Sequence, residues 1–115
     1  MQIPKPSEAD KARFRTLVPD GAGVEVKPMF GNLGAFVNGN MFMGLFGADI
    51  GLKLAREDLD QLARVAGSGP FGPSERPMGG YLRLPAALIG TPEADRWVRQ
   101  ALGYVAGLPP KKATK

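Results

Sequence analysis

The chain contains no cysteine and no histidine. Their absence excludes disulfide bonds, thiolate chemistry, zinc fingers and catalysis by an imidazole base or a serine–histidine pair. The only acidic cluster is Glu57, Asp58 and Asp60. It lies in the first turn of a predicted helix, where the helix dipole favours negative charge. The sequence therefore predicts no catalytic residue, no metal site and no cofactor.

The chain also lacks long apolar runs. None approaches the roughly 20 residues that cross a bilayer, and the first eleven residues are polar. We therefore expect a cytoplasmic protein with no membrane partner. Its 115 residues, of which 43% are hydrophobic, suffice for one core. We expect one domain over residues 1–110 and a disordered basic tail over residues 111–115.

Positive charge is in small excess, with a net charge of +4. Lys111, Lys112 and Lys115 supply three of the fifteen basic residues, so the rest holds twelve basic and eleven acidic side chains. A folded nucleic-acid-binding protein usually concentrates positive charge on one face. The sequence therefore predicts at most weak nucleic-acid binding. Its candidate contacts, besides the tail, are Lys27, Lys53, Arg76 and Arg83.

The clearest turn signal is Asn38-Gly39, because a type I′ turn needs positive φ at both central positions. Residues 35–37 and 40–46 flank it and predict two antiparallel strands. Both flanks are mostly apolar, so both faces of this hairpin need cover. The cover is either helices of the same chain, or a partner chain or ligand. Regular alternation would place Met41, Met43 and Leu45 on one face and Phe42 and Phe46 on the other.

The remaining segments predict an α+β fold, with a two-layer arrangement of an antiparallel sheet of about five strands and three helices. Residues 67–79 predict a long loop that Phe71 and Met78 pin to the body. Trp97 is expected in the core, and the alternative is a contact with a second chain. Gly31 and Gly34 are expected to take special φ values in a turn before the hairpin. The other predicted elements are helices at 8–18, 56–65 and 92–106, and strands at 24–27, 50–54 and 80–84.

Several short motifs occur together between Ser7 and Pro109. They are Lys27 with Met29-Phe30-Gly31-x-x-Gly34, then Phe36, Gly39 with Phe42, Gly51-Leu52-Lys53-Leu54, Pro70-Phe71, Met78-x-x-Tyr81-x-x-x-Pro85, and Trp97 with Ala101. In combination they resemble the N-terminal domain of the TfoX (Sxy) family, named for bacterial regulators of competence.

The resemblance implies a compact α+β domain with a curved antiparallel sheet and no established catalysis. It also implies a regulatory or protein-interaction role, which in the competence regulators is linked to transcription with the cyclic-AMP receptor protein. Asn32 stands where the family commonly has glycine, and we expect its tolerance of positive φ to preserve the turn. Full-length regulators carry a second, C-terminal domain, which this sequence does not include.

Our leading hypothesis is a non-enzymatic regulatory module that binds a protein partner or forms a homodimer. The candidate interface residues are Phe36, Met41, Met43 and Phe46, and Lys27, Phe30, Gly31, Gly34 and Tyr81 complete the candidate binding site. One alternative is a weak nucleic-acid-binding accessory protein. Another is an enzyme or a small-ligand-binding domain in which the 67–79 loop closes over the sheet near Tyr81. Its polar participants would be Lys27, Lys53 and Tyr81.

Overall fold

The computed structural model describes residues 3–110, so the predicted tail at 111–115 lies outside the described residues. Five strands form one antiparallel sheet in sequential order, β1-β2-β3-β4-β5. The α+β fold expected from the sequence is confirmed. In chain order the elements are α1 (Glu8–Leu17), β1 (Val24–Met29), β2 (Asn32–Val37), β3 (Asn40–Phe46), β4 (Asp49–Lys53), α2 (Arg56–Ala63), β5 (Tyr81–Arg83), a 3₁₀ helix (Ala86–Leu88) and α3 (Pro92–Ala106).

Local side-chain chemistry determines where two of the helices begin. At α1, the Ser7 hydroxyl accepts from the Asp10 amide at 3.0 Å, and Asp10 accepts from the Ser7 amide at 2.9 Å. The hydrogen bond that the Ser7 amide donates to the Asp10 carboxylate is the main cause that holds the pKa of Asp10 below its ordinary value. At α3, Thr91 is the N-cap and Pro92 is the first helical residue, so this helix begins at the predicted position.

The observed elements differ from the predicted ones in several places, including the following three. Helix α2 ends at Ala63, and Leu62 is its only fully buried side chain. Strand β1 continues through Pro28 to Met29, which an edge strand permits because no ladder bond is needed on its outer side. The 3₁₀ helix after Pro85 was not predicted.

The three helices pack on one face of the sheet. That face carries a single core in which Phe14, Leu62 and Trp97 from the helices meet the strands. Trp97 is only 6% exposed, so its predicted place in the core is confirmed. No helix within residues 3–110 has the length and apolar character needed to cross a membrane.

A β-bulge changes which face several hairpin residues occupy. The pairing runs Ala35 with Met43 and then Phe36 with Met41, so Phe42 is an extra residue in β3. Phe42 and Met43 both lie in the helix-covered core at 0% exposure. Met41 pairs with Phe36 and lies on the opposite face. The prediction that Met41 and Met43 share a face was therefore wrong, because regular alternation breaks at the bulge.

The turn before the hairpin also differs from expectation. Its two central residues are Phe30 and Gly31, with φ of 49° and 82°. Asn32 is the first residue of β2 and lies outside the positive-φ region, so the expected turn role of Asn32 was wrong. Gly34 lies inside β2, also without positive φ. What it provides is space for neighbouring side chains.

Candidate functional site

The second face of the sheet, opposite the helices, has a floor of glycine. Gly34 pairs directly with Gly44, and Gly44 pairs directly with Gly51, so the three residues form a row across β2, β3 and β4. Directly paired residues project to the same face of a sheet. This glycine row leaves a shallow trough that side chains from elsewhere can enter.

Phe71, from the loop between α2 and β5, fills one half of the trough. A Cβ added to Gly51 would lie 2.2 Å from the Phe71 ring, and one added to Gly44 would lie 3.2 Å from it. Phe71 is only 2% exposed. Its ring centroid is 6.3 Å from that of Phe46 and 6.0 Å from that of Tyr81. The loop is therefore pinned to the body, as predicted, and it partly covers the second face.

The other half of this face is an open apolar pocket of about 380 Å³. Its walls come from the β1–β2 turn, strands β2 and β3, the loop and the N-terminal segment. None of the lining side chains is ionisable. The lining residues are Ile3, Met29, Phe30, Asn32, Leu33, Met41, Gly44, Leu45, Phe46, Phe71, Pro73 and Met78.

Asn32 is the one polar side chain in this lining, and both ends of its amide are engaged. Its Nδ2 donates to the carbonyl of Pro4 at 3.1 Å, and its Oδ1 accepts from the amide of Gly47 at 2.8 Å. The side chain is 5% exposed. Asn32 therefore holds the N-terminal segment against the β3–β4 turn and offers an incoming group little hydrogen bonding.

Phe30 lies at the rim of the pocket and is 81% exposed. Its φ of 49° is a left-handed conformation that costs a bulky residue about 1 to 3 kcal/mol. Another two-residue turn, Asn38-Gly39, has asparagine at the corresponding position, with φ of 54°. Asparagine suits that position and phenylalanine does not. Neither packing nor turn chemistry accounts for an aromatic residue at position 30.

Tyr81 connects β5 to the strand that carries the bulge. Its hydroxyl donates to the carbonyl of Met41 at 2.9 Å, directly before the bulged residue. Burial raises the pKa of Tyr81 to about 12. Lys53 Nζ lies 5.9 Å from the ring centroid. Tyr81 therefore positions Met41, which is a wall of the pocket.

The structure separates the predicted site residues into groups. Phe30, Met41 and Phe46 line the pocket, and Gly34 belongs to the floor beside Met41 and Phe36. Gly31 shapes the turn that carries Phe30. Met43 was wrongly expected at an interface, because it is fully buried under the helices.

The basic candidates for nucleic-acid binding are dispersed. Lys27 Nζ lies 3.5 Å from a Glu25 carboxylate oxygen and 5.3 Å from the Phe36 ring centroid. Lys27 is on β1 and Arg83 is on β5, at opposite edges of the sheet. Four strand spacings separate them, or about 19 Å. The sheet therefore does not gather them into one basic patch.

Most residues that shape the site were absent from the predicted set, and five of them supply two floor glycines, the covering ring and two methionine walls. The sequence predicts Phe71 and Met78 only as loop anchors. A signal for the floor was present in the sequence, because glycine recurs in three consecutive strands, but only the register aligns those glycines. The five residues are Met29, Gly44, Gly51, Phe71 and Met78.

Within residues 3–110, no three histidine, cysteine, aspartate or glutamate side chains cluster as they would to hold a metal ion. The chemistry that the pocket lining offers is apolar contact. An incoming methyl or phenyl group would meet methionine sulfurs, aromatic rings and glycine backbone.

One comparison with known proteins gives a match. The family model described as the TfoX N-terminal domain matches residues 16–104, well over half of the 115-residue chain. The matched region includes the whole sheet, the 67–79 loop and nearly all of α3. No curated protein and no solved structure matches the chain. The resemblance inferred from the motifs is therefore confirmed at the level of the family.

Proposed function

The chain belongs to the TfoX N-terminal domain family, and on that premise we propose that it is a non-enzymatic regulatory domain that works by binding a protein. The pocket beside Phe30 receives an apolar side chain of the partner. The regulatory role, and its link to bacterial competence and transcription, are part of this proposal and rest on the family. The mode of binding rests on the pocket.

The observation that carries the proposal is an apolar pocket with an exposed aromatic residue at its rim. Its volume of about 380 Å³ falls in the usual range for pockets that bury a ligand group. Phe30, at 81% exposure, is by far the most exposed large apolar side chain of the described residues. Aromatic residues beside apolar pockets are common anchors of protein interfaces.

The methionines support a recognition surface that adapts to its partner. Met29, Met41 and Met78 all line the pocket. Methionine side chains are flexible and polarisable, and they are over-represented at surfaces that accept varied apolar partners. The site can therefore adjust to side chains of different shape at modest cost.

The chemistry of the lining favours binding over catalysis. No lining side chain can act as a general acid, a general base or a charged electrophile at neutral pH. Tyr81 lies beside the pocket, but its raised pKa keeps it protonated, and its hydroxyl is already donated to the Met41 carbonyl. Among the described side chains that line the pocket, a substrate would meet no group able to transfer a proton.

The test is selection of binding peptides from a random displayed library, followed by NMR of the domain with ¹³C-labelled methionine methyl groups. We expect the selected peptides to share an apolar anchor. Their addition should shift the methyl signals of Met29, Met41 and Met78, and leave that of the buried Met43 in place. Met78→Lys should abolish peptide binding, because it places a charge in the pocket wall. Ala87→Lys, at an exposed position of the 3₁₀ helix, is the matched control.

Two outcomes would overturn the proposal. In one, the selected peptides shift other parts of the surface and bind Met78→Lys as well as the native chain. In the other, no peptide is selected but a small aromatic such as indole shifts the three pocket methyl groups. The latter result would make the pocket a small-molecule site.

A further inference from the structure

The β1–β2 turn presents a projection beside a cavity that it does not fill. Phe30 extends from the turn at 81% exposure, although it is also one of the residues that line the pocket. The fold does not need phenylalanine at this strained position, since asparagine serves the equivalent turn at Asn38. A role outside the isolated chain would account for both the exposure and the strain.

We propose that the partner is a second copy of this chain, and that each copy inserts Phe30 into the apolar pocket of the other. This inference rests on the proposed function, because it uses the same pocket. A two-fold symmetric interface requires one patch that complements itself. Here Phe30 lies directly beside the pocket, so a two-fold rotation can place the Phe30 ring of each copy in the pocket of the other.

Size supports this occupant. A cavity of roughly 150 Å³ is enough for a benzene ring in a protein interior. The pocket, at about 380 Å³, therefore accepts a phenyl ring and leaves room for Met29 and Met78 to close around it.

The lack of charge in the pocket lining also supports a second copy as the occupant. Identical copies present identical charges, and like charges facing each other across an interface cost several kcal/mol. None of the lining side chains is ionisable. The patch can therefore face its own copy without repulsion between its lining side chains.

The area indicates that the dimer is reversible. A phenylalanine buries about 150 to 250 Å². Two of them with neighbouring methionines remain below the roughly 1,200 Å² of a stable interface. We therefore expect a dimer that forms at high micromolar concentration and dissociates on dilution.

The experiment is sedimentation of the full chain from about 1 µM to 1 mM. The native chain should move from the mass of one chain toward that of two. Phe30→Asn should remain a monomer throughout, and its melting temperature should rise because the strain is relieved. That rise would show that lost association does not come from unfolding. Phe30→Tyr should retain association, and Val26→Thr, which alters another exposed apolar residue, should leave it unchanged.

A native chain that remains monomeric at 1 mM would overturn the inference, as would a Phe30→Asn variant that associates like the native chain. If peptides still bind the pocket of a strictly monomeric chain, the proposed function stands and only the second copy is refuted. If the chain is monomeric and no peptide binds, both proposals fail.

Discussion

Replacing Gly51 with alanine tests whether the glycine row is the floor on which the site is built. The new Cβ would lie 2.2 to 2.5 Å from three ring carbons of Phe71, over 1 Å inside normal contact. Gly51 is in the middle of β4 and is paired with strands on both sides, so its backbone cannot move away from the new Cβ. The Phe71 ring therefore has to leave the trough. Burial of a phenylalanine side chain is worth about 1.5 to 3 kcal/mol. Replacing glycine with alanine in a strand stabilises the fold by about 0.5 to 1 kcal/mol, because alanine loses less conformational entropy on folding.

The net expectation for Gly51→Ala is a loss of about 1 to 2 kcal/mol, or a melting temperature lower by about 4 to 8 °C. The assay is thermal and urea unfolding followed by circular dichroism. Gly103→Ala is the control. Gly103 is an exposed position of α3 where an added Cβ meets nothing within 4 Å. The change there should stabilise by about 0.5 to 1 kcal/mol.

The same substitution in a Phe71→Ala background isolates the contact. Without the ring, alanine at position 51 should stabilise slightly. The two changes should therefore show a coupling of about 2 kcal/mol. If Gly51→Ala costs as much in the absence of the ring as in its presence, the packing of Phe71 on the glycine row is refuted.

Three further predictions concern other parts of the site. Asn32→Ala removes the two hydrogen bonds of a buried side-chain amide and should lower the free energy of unfolding in urea by about 1 to 3 kcal/mol. A loss below about 0.5 kcal/mol would contradict the role of Asn32 in holding the N-terminal segment against the β3–β4 turn. Met43→Lys should abolish the folded circular dichroism spectrum, because it buries an unpaired charge, whereas Met41→Lys at the half-exposed face should stay folded. In a Tyr104→Phe chain, absorbance at 295 nm should show that Tyr81 ionises near pH 12. The free energy of unfolding should fall as pH rises from about 10 to 12, because the tyrosine of the unfolded chain loses its proton at lower pH than that of the folded chain. An ionisation midpoint near pH 10 would contradict burial of the ring.

The architecture was predictable where local chemistry determines it. The capping residues at Ser7 and Thr91, the Asn38-Gly39 turn and the apolar stripe of α3 each act over a few residues. Such signals can be interpreted without knowing the rest of the fold. The same holds for Trp97, whose spacing in α3 places it on the core side.

The site was harder to predict because it depends on register and on one bulge. Phe42 as an extra residue in β3 reverses the face of Met41 relative to Met43, and no pattern in the segment marks that position. The glycine row exists only because Gly34, Gly44 and Gly51 fall opposite one another. The strain at Phe30 depends on which two residues form the turn.

The most direct test of the account is an isotope-filtered NMR measurement on a mixed sample at about 1 mM. One population carries ¹³C-labelled methionine methyl groups, and the other is unlabelled. Reciprocal insertion predicts contacts from the Phe30 ring of one chain to the Met29, Met41 and Met78 methyl groups of the other. The Met43 methyl group should show none. Contacts between chains that avoid the three pocket methionines, or that persist in Phe30→Asn, would contradict the account.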